Sequence, residues 1–328
     1  MDLYIDRENL KSFISSREND GFDDCCRMIK RQLHVIYNMD KQSIKNDPIL
    51  SQWILRINTG RGDSEDTDTF LIDSFPMRPI KSNSYINWDR KKLTSIYLID
   101  DLESDKLKRK GCVLLGCIGE ELQVLSKLFC GNDYDYHCFY ELQRDFNSWN
   151  QLIDDNQTSP CTDIVINDRY LFNNTEDLVN HNMSQMLKAL THNVKSKVNI
   201  VVFTLKEPLF NFDPQKAITI VRKAVEGNTE IKPNITFIVS SDKSKIPHDR
   251  YIVTNYRLIK SGDSFLYFST KDEIITHGSS FDIFSLAKKE YALFADDILK
   301  TLQKTYNDIA QRNKDLIIGS KVSNFVKF

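Results

Sequence analysis

Two apolar runs in the second half of the chain restrict its fold more than any other feature. Val198 to Leu205 and Ile235 to Ser240 are rich in β-branched and aromatic residues and show no polar alternation. A strand with one wet face alternates, whereas a strand that does not alternate is covered on both faces. Helical periods lie between and around these runs. Glu176 to Leu190 places Leu178 or Val179, Met183, Met186, Leu187 and Leu190 on one side. Pro214 to Val225 opens with a proline suited to a first helical turn. With Asp163 to Phe172 as a preceding strand, the order strand, helix, strand, helix, strand predicts an α/β fold, a layered α/β/α domain. Tyr251 to Val253 and Ser264 to Phe268 are further predicted strands, joined through Asn255 to Gly262. Ser285 to Arg312 is a long amphipathic helix.

The first half is less regular. Leu3 to Ile5, Ser95 to Ile99 and Cys112 to Cys117 predict short strands. Asp23 to Tyr37 predicts a helix on the spacing of Cys26, Ile29, Leu33 and Ile36, and Gly119 to Phe129 predicts another. Pro48 starts a helix carrying Leu50, Trp53, Ile54 and Ile57. Residues 1–154 therefore read as a mixed α+β domain of unassigned role. The polar segment Asp154 to Pro160 reads as the boundary. The layered domain spans 160–312, and 313–328 form a tail.

Composition excludes several classes. Nineteen Phe and thirteen Tyr in 328 residues are too many for a disordered chain. Forty-four basic residues against 46 acidic ones give a net charge of −2, which argues against bulk electrostatic binding of nucleic acid but leaves room for a local basic patch. The first residues lack a signal-peptide layout, and no apolar run approaches the roughly 18 residues of a membrane span. The expectation is a cytoplasmic chain with no transmembrane segment. Seven cysteines, an odd number, do not suggest a disulfide framework. Cys112, Cys117, Cys130, Cys138 and Cys161 cluster in sequence near His137 but contain no C-x2-C pair, so neither a metal site nor a cofactor is expected.

One segment carries chemistry. In Pro247-His248-Asp249-Arg250-Tyr251-Ile252-Val253-Thr254-Asn255, a histidine opens a strand and an arginine follows two places on. Residues two apart on a strand share a face, so His248 and Arg250 are expected to project into one pocket. Imidazole can carry a proton or attack phosphorus, and guanidinium is a permanent bidentate clamp for phosphate oxygens. Asn255, Gly262 and Ser264 follow. Upstream, Asp168 and Arg169 end a predicted strand and are expected beside the same pocket. His277 and Ser279, in His277-Gly278-Ser279-Ser280, are expected on its rim.

These positions resemble the phospholipase D superfamily motif, His-x-Lys-x4-Asp-x6-Gly-Ser. His248, Arg250, Asn255 and Gly262 stand at its spacing, with Ser264 one place beyond the usual serine. The His-Asp-Arg form is more similar to a divergent branch, the phospholipase-D-like domain at the C-terminus of MIT-domain proteins and its bacterial relatives. The resemblance covers about residues 160–300. It implies that His248 is the nucleophile position, that Arg250 replaces the phosphate-binding lysine, and that Asn255 replaces the aspartate. It further implies phosphate-containing ligands, nucleic acid foremost, and weak or no phosphodiesterase activity. The bacterial relatives imply an accessory role in a defence or mobile-element system. A complete two-histidine site would require a homodimer. The alternatives are a non-catalytic scaffold with protein partners, a metal-independent nuclease using His248, and a phospholipid-binding protein. A second resemblance lies at the N-terminus. Tyr4-Ile5-Asp6-x-Glu8-Asn9-Leu10 looks like the first strand of NYN/PIN-type ribonucleases, in which acidic strand ends hold divalent metal; Ile99-Asp100-Asp101 is another strand ending in carboxylates.

Overall fold

The computed structural model describes residues 1–37, 39, 41–58, 72–74, 94–99, 114–131, 133–143, 145–153, 161–192, 194, 197–206, 213–226, 232–276, 278–312 and 317–328. The polar segment 154–160, the carboxylates Asp100 and Asp101, and His277 lie outside these residues.

Strands β1 (Asp2–Ile5), β2 (His34–Tyr37), β3 (Ile72–Ser74), β4 (Ile96–Leu98) and β5 (Leu114–Gly116) form a parallel sheet in the order β3-β2-β1-β4-β5. Helices α1 (Arg7–Ser15), α2 (Phe22–Arg31), α3 (Lys41–Asn46), α4 (Pro48–Asn58) and α5 (Glu121–Ser126) connect and cover it. Leu3, Ile5, Phe13, Cys25, Met28, Leu98 and Leu125 share its core. This half is thus parallel α/β, not the α+β mixture expected from its irregular pattern. The helix expected up to Tyr37 ends at Arg31. Lys30 and Arg31 sit favourably in its last turn. Ile36 fits the helical spacing, but Val35, Ile36 and Tyr37 pair with Leu3, Tyr4 and Ile5 of β1, where β-branched and aromatic side chains pack well.

The second sheet has eight strands: β6 (His137–Glu141), β7 (Asp163–Asn167), β8 (Asn199–Leu205), β9 (Asn234–Ser240), β10 (Arg250–Val253), β11 (Arg257–Ser261), β12 (Ser280–Ser285) and β13 (Ile317–Gly319). Their order is β13-β9-β8-β7-β10-β11-β12-β6. β7, β8 and β9 are parallel, crossed over by α7 (Glu176–Thr191) and α8 (Pro214–Glu226). The other pairings are antiparallel. Alternate residues of the central strands serve opposite faces. Ile164, Ile166, Ile200 and Val202 pack with Met183, Leu187, Val221 and Trp149 of α6 (Trp149–Leu152). Val165, Val201 and Phe203 pack with Ile298, Leu302 and Ile309 of α9 (Lys289–Arg312). Burial on both faces explains the unbroken apolar runs, and each such side chain contributes roughly 1.5–3 kcal/mol.

The division of the chain differs from the sequence expectation. β6 and α6 precede the polar segment yet belong to the second sheet and its core. The stretch Arg257–Ser261, expected as a connection, is a full strand. Ser264 to Phe268 was expected as a strand; only Phe268 bridges, to Ile274. The tail joins the second sheet through β13. It is also clamped on Asp163, whose carboxylate accepts from Ser323 Oγ at 2.9 Å and from Asn324 N and Nδ2 at 2.7 Å each.

The two sheets meet at the turn between β10 and β11. Tyr256 is fully buried in the core of the first sheet. Its hydroxyl donates to Ser95 O at 2.8 Å and accepts from Leu114 N at 3.1 Å. Arg257 is buried beside it and donates to the carbonyls that follow α5: Lys127 O (2.6 Å), Leu128 O (2.9 Å) and Phe129 O (2.9 Å). A cation is well placed against such unpaired carbonyls. Tyr256→Phe is expected to lower unfolding free energy by roughly 1–3 kcal/mol, the cost of stranding a buried group, and Arg257→Met by more, as read by urea denaturation. Unchanged midpoints in both variants would remove this turn as the joint.

Candidate functional site

The site forms where β7 ends and β10 begins. These strands run antiparallel, so the C-terminal end of one lies beside the N-terminal end of the other, with Tyr251 opposite Asn167. Asn167 Nδ2 donates to Pro247 O at 3.2 Å and to Asp249 O at 2.5 Å. Arg169 donates to Ile246 O through Nε at 3.2 Å and Nη2 at 2.5 Å. Two side chains from one strand end therefore staple the loop that carries His248. This also accounts for Arg169: its guanidinium holds that loop instead of facing a ligand.

Three groups converge beyond the staple. The Arg250 guanidinium carbon lies 5.5 Å from the centre of the Tyr170 ring. The exposed His248 ring meets the same tyrosine edge-on, with centroids 6.3 Å apart. Arg250 Nη1 donates to Gly262 O at 3.3 Å, while its Nε is buried without an acceptor. Among the described residues no carboxylate forms an ion pair with Arg250. Gly262 packs tightly here: a Cβ would fall 3.0 Å from Ser280 Oγ and 3.2 Å from Ser279 Oγ. Ser279 thus lies beside Gly262, whose carbonyl accepts from Arg250.

Asp168 lies behind Arg250 and is fully buried. Its carboxylate accepts from Ser264 Oγ (2.7 Å), Phe265 N (2.9 Å) and Tyr170 N (2.9 Å). Burial raises its pKa, opposed by those three donors and by the nearby charge of Arg250. Ser264 is committed to this network. Asp168 and Ser264 act as a buried brace that fixes Tyr170 and the turn after β11.

Asn255 is not part of this group. It sits at the opposite end of β10 and is fully buried. Its Oδ1 accepts from Thr162 N at 2.8 Å and Asp163 N at 3.3 Å, and its Nδ2 donates to Thr162 Oγ1 at 3.1 Å. The expectation of a catalytic Asn255 is corrected on that ground: every polar atom of its amide is used to tie β10 to the start of β7. Tyr170 was not among the expected site residues, and its only sequence signal is its position after Asp168-Arg169 at a strand end.

A second polar cluster lies in the first sheet. The strand order reverses between β1 and β4, the place where open parallel sheets form ligand crevices. Asp6, directly after β1, is buried and accepts from Asn9 N at 2.9 Å and Asn9 Nδ2 at 3.0 Å. Asn9 Oδ1 is buried without a partner. The buried Glu121 accepts from Ser12 Oγ at 3.1 Å and Gly119 N at 3.0 Å; burial raises its pKa, and the Asp6 charge adds to the rise. Among the described residues no three His, Cys, Asp or Glu side chains gather as a metal site.

No protein-family model matches this chain, and a search of curated proteins finds no match. Its described residues include no helix long and apolar enough to cross a membrane.

The brace is testable. Asp168→Ala leaves one hydroxyl and two backbone N–H groups without their acceptor and is expected to cost roughly 2–4 kcal/mol in denaturant unfolding. A loss below about 0.5 kcal/mol would show that solvent replaces the carboxylate.

Proposed function

We propose that this chain is a divergent phospholipase-D-like protein that binds phosphate-containing ligands, with nucleic acid favoured, in the cradle of His248, Arg250 and Tyr170. The observation that carries this reading is the state of Arg250. Its cation has no ion-pair partner among the described residues, and its Nε is buried with no acceptor. A phosphate group supplies an ion-pair partner at the solvent-facing Nη1, beside its bond to Gly262 O. The exposed imidazole of His248 offers a further donor, and the ring of Tyr170 an apolar wall.

Binding is favoured over cleavage. An effective histidine nucleophile needs its ring oriented and its positive charge supported by an acid. No such hydrogen bond to His248 is found among the described residues, and Asn255 is engaged elsewhere. Under this reading phosphodiesterase activity is weak or absent, and the resemblance to bacterial relatives implies an accessory role, with protein partners, in a defence or mobile-element system. Labelled single-stranded DNA and RNA are expected to bind in fluorescence anisotropy with affinity that falls as salt rises. Arg250→Ala should weaken binding about tenfold to a hundredfold, the worth of a charge-assisted contact. Equal binding by Arg250→Ala would refute the cradle. Retained assembly with partner proteins in a His248→Ala, Arg250→Ala double variant, without any nucleic-acid binding by the wild type, would favour the scaffold reading.

The switch point of the first sheet supports a second reading, a divalent-cation site for phosphodiester cleavage of the kind the NYN/PIN resemblance implies. Its specific support is the buried Asp6 with Asn9, whose Oδ1 awaits a donor or a cation. Under this reading, Mg2+-dependent cleavage of labelled RNA is abolished by Asp6→Ala and by chelator but not by His248→Ala. The reverse pattern would assign any cleavage to the second sheet.

A further inference from the structure

The outer edge of β6 ends the eight-stranded sheet, and among the described residues β12 is the strand that pairs with it. The alternation along β6 can be read from its flanks. Tyr136 O accepts from Ser285 N at 2.8 Å, and Leu142 N donates to Ser279 O at 2.9 Å. Residues at even positions therefore bond toward β12. The N–H and C=O groups of His137, Phe139 and Glu141 point away from it. Among the described residues no other strand pairs with this edge. The side chains of the same three residues share one face, and Phe139 on it is 56% exposed.

We propose that β6 is a homodimerisation edge, at which two copies of the chain pair antiparallel about a twofold axis through Phe139. This register is self-complementary at each level. Phe139 lies opposite Phe139 of the second copy, and His137 lies opposite its Glu141. All three pairs are of the kind that exchange both N–H to O bonds, so the six outward groups of each strand are satisfied together. The aromatic pair covers the exposed rings. The imidazole of His137, held at 2.8 Å by Asp282 of its own chain, then faces a carboxylate and not another imidazole. A shift by one residue would place the outward N–H and C=O groups opposite residues whose own groups point toward β12; a shift by two would lose the central aromatic pair and both His137–Glu141 matches. The second copy is chosen as occupant on this match of charge and register. The interface is isologous and closes at two chains, so it does not propagate into a fibre.

The proposal does not depend on the phosphate-binding reading, and it constrains it. The cradle lies toward the Glu141 end of β6, because Gly262 N donates to Ser280 O, and Ser280 pairs with Glu141. Antiparallel pairing sends the two cradles to opposite ends of the joined sheet. This dimer therefore does not bring two copies of His248 into one site.

Five residues on each side bury less than the ~800 Å² per partner of a stable complex, so a concentration-dependent equilibrium is expected. Sedimentation velocity of the full chain over a range of concentrations should show monomer and dimer in exchange. Glu141→Lys changes an exposed residue and puts two cations against the two imidazoles; it should raise the dissociation constant about tenfold. Phe139→Pro removes an outward N–H and spares the ladder to β12, so it should yield a monomer with an unchanged circular dichroism spectrum. A wild-type chain that is monomeric throughout overturns the proposal and leaves the edge to some other extended segment. A dimer that both variants retain overturns it equally, by placing the contact elsewhere.

Discussion

The turn that carries the buried Arg257 guanidinium, which has no carboxylate partner among the described residues, joins the two halves of this protein. Arg257 is taken out of water and compensated by backbone carbonyls that follow α5, the groups that a helix end leaves unpaired. Burial lowers its pKa, yet the guanidinium stays charged because its ordinary value is so high. Its neighbour Tyr256 reaches the other way and joins the segments that begin β4 and β5. One tight turn thus fixes a parallel sheet against a mixed one. Tyr256 and Ala287 also pack into the apolar core of the first sheet, so the contact combines burial with directional hydrogen bonds.

The same hairpin organises the candidate site from its other end. β10 is only four residues long. At one end Asn255 ties it to the start of β7, and Tyr256 and Arg257 anchor it to the first sheet. At the other end Arg250 emerges beside Tyr170, with His248 held in place by Asn167 and Arg169 through backbone carbonyls. Rigid anchorage at both ends explains how an exposed loop histidine and a strand arginine keep a common neighbour. It also explains the use of polar residues here: Asp168 and Ser264 are buried, mutually bonded, and serve to position others.

Much of this was legible in the residues, for stated reasons. The unbroken runs of β8 and β9 announce burial on both faces, and the periods of α7 and α8 announce the crossovers between them. The spacing of His248 and Arg250 singled out two residues that both neighbour the Tyr170 ring, one from a loop and one from the start of β10. Other readings failed where local pattern was ambiguous. Ile36 continues the helical spacing of Cys26, Ile29 and Leu33, while Val35-Ile36-Tyr37 suits a strand, and pairing with β1 decides it. Arg257 to Ser261 alternates too weakly to separate a strand from a connection until β10 and β12 flank it. Asn255 fits a motif by its spacing, but spacing along a chain does not state which end of a strand a side chain reaches.

By itself the sequence determined the layered α/β character and the helices that cover the second sheet. These follow from local periodicity and residue chemistry, which act over a few residues. Only the tertiary structure decided that β6 joins a sheet whose other strands follow it in the chain. The same holds for Tyr170 as the common neighbour of Arg250 and His248, and for Arg257 as the joint between the halves. Each of these rests on contacts between residues far apart in sequence. Such contacts depend on strand register and on the satisfaction of buried polar groups, and no local pattern encodes either.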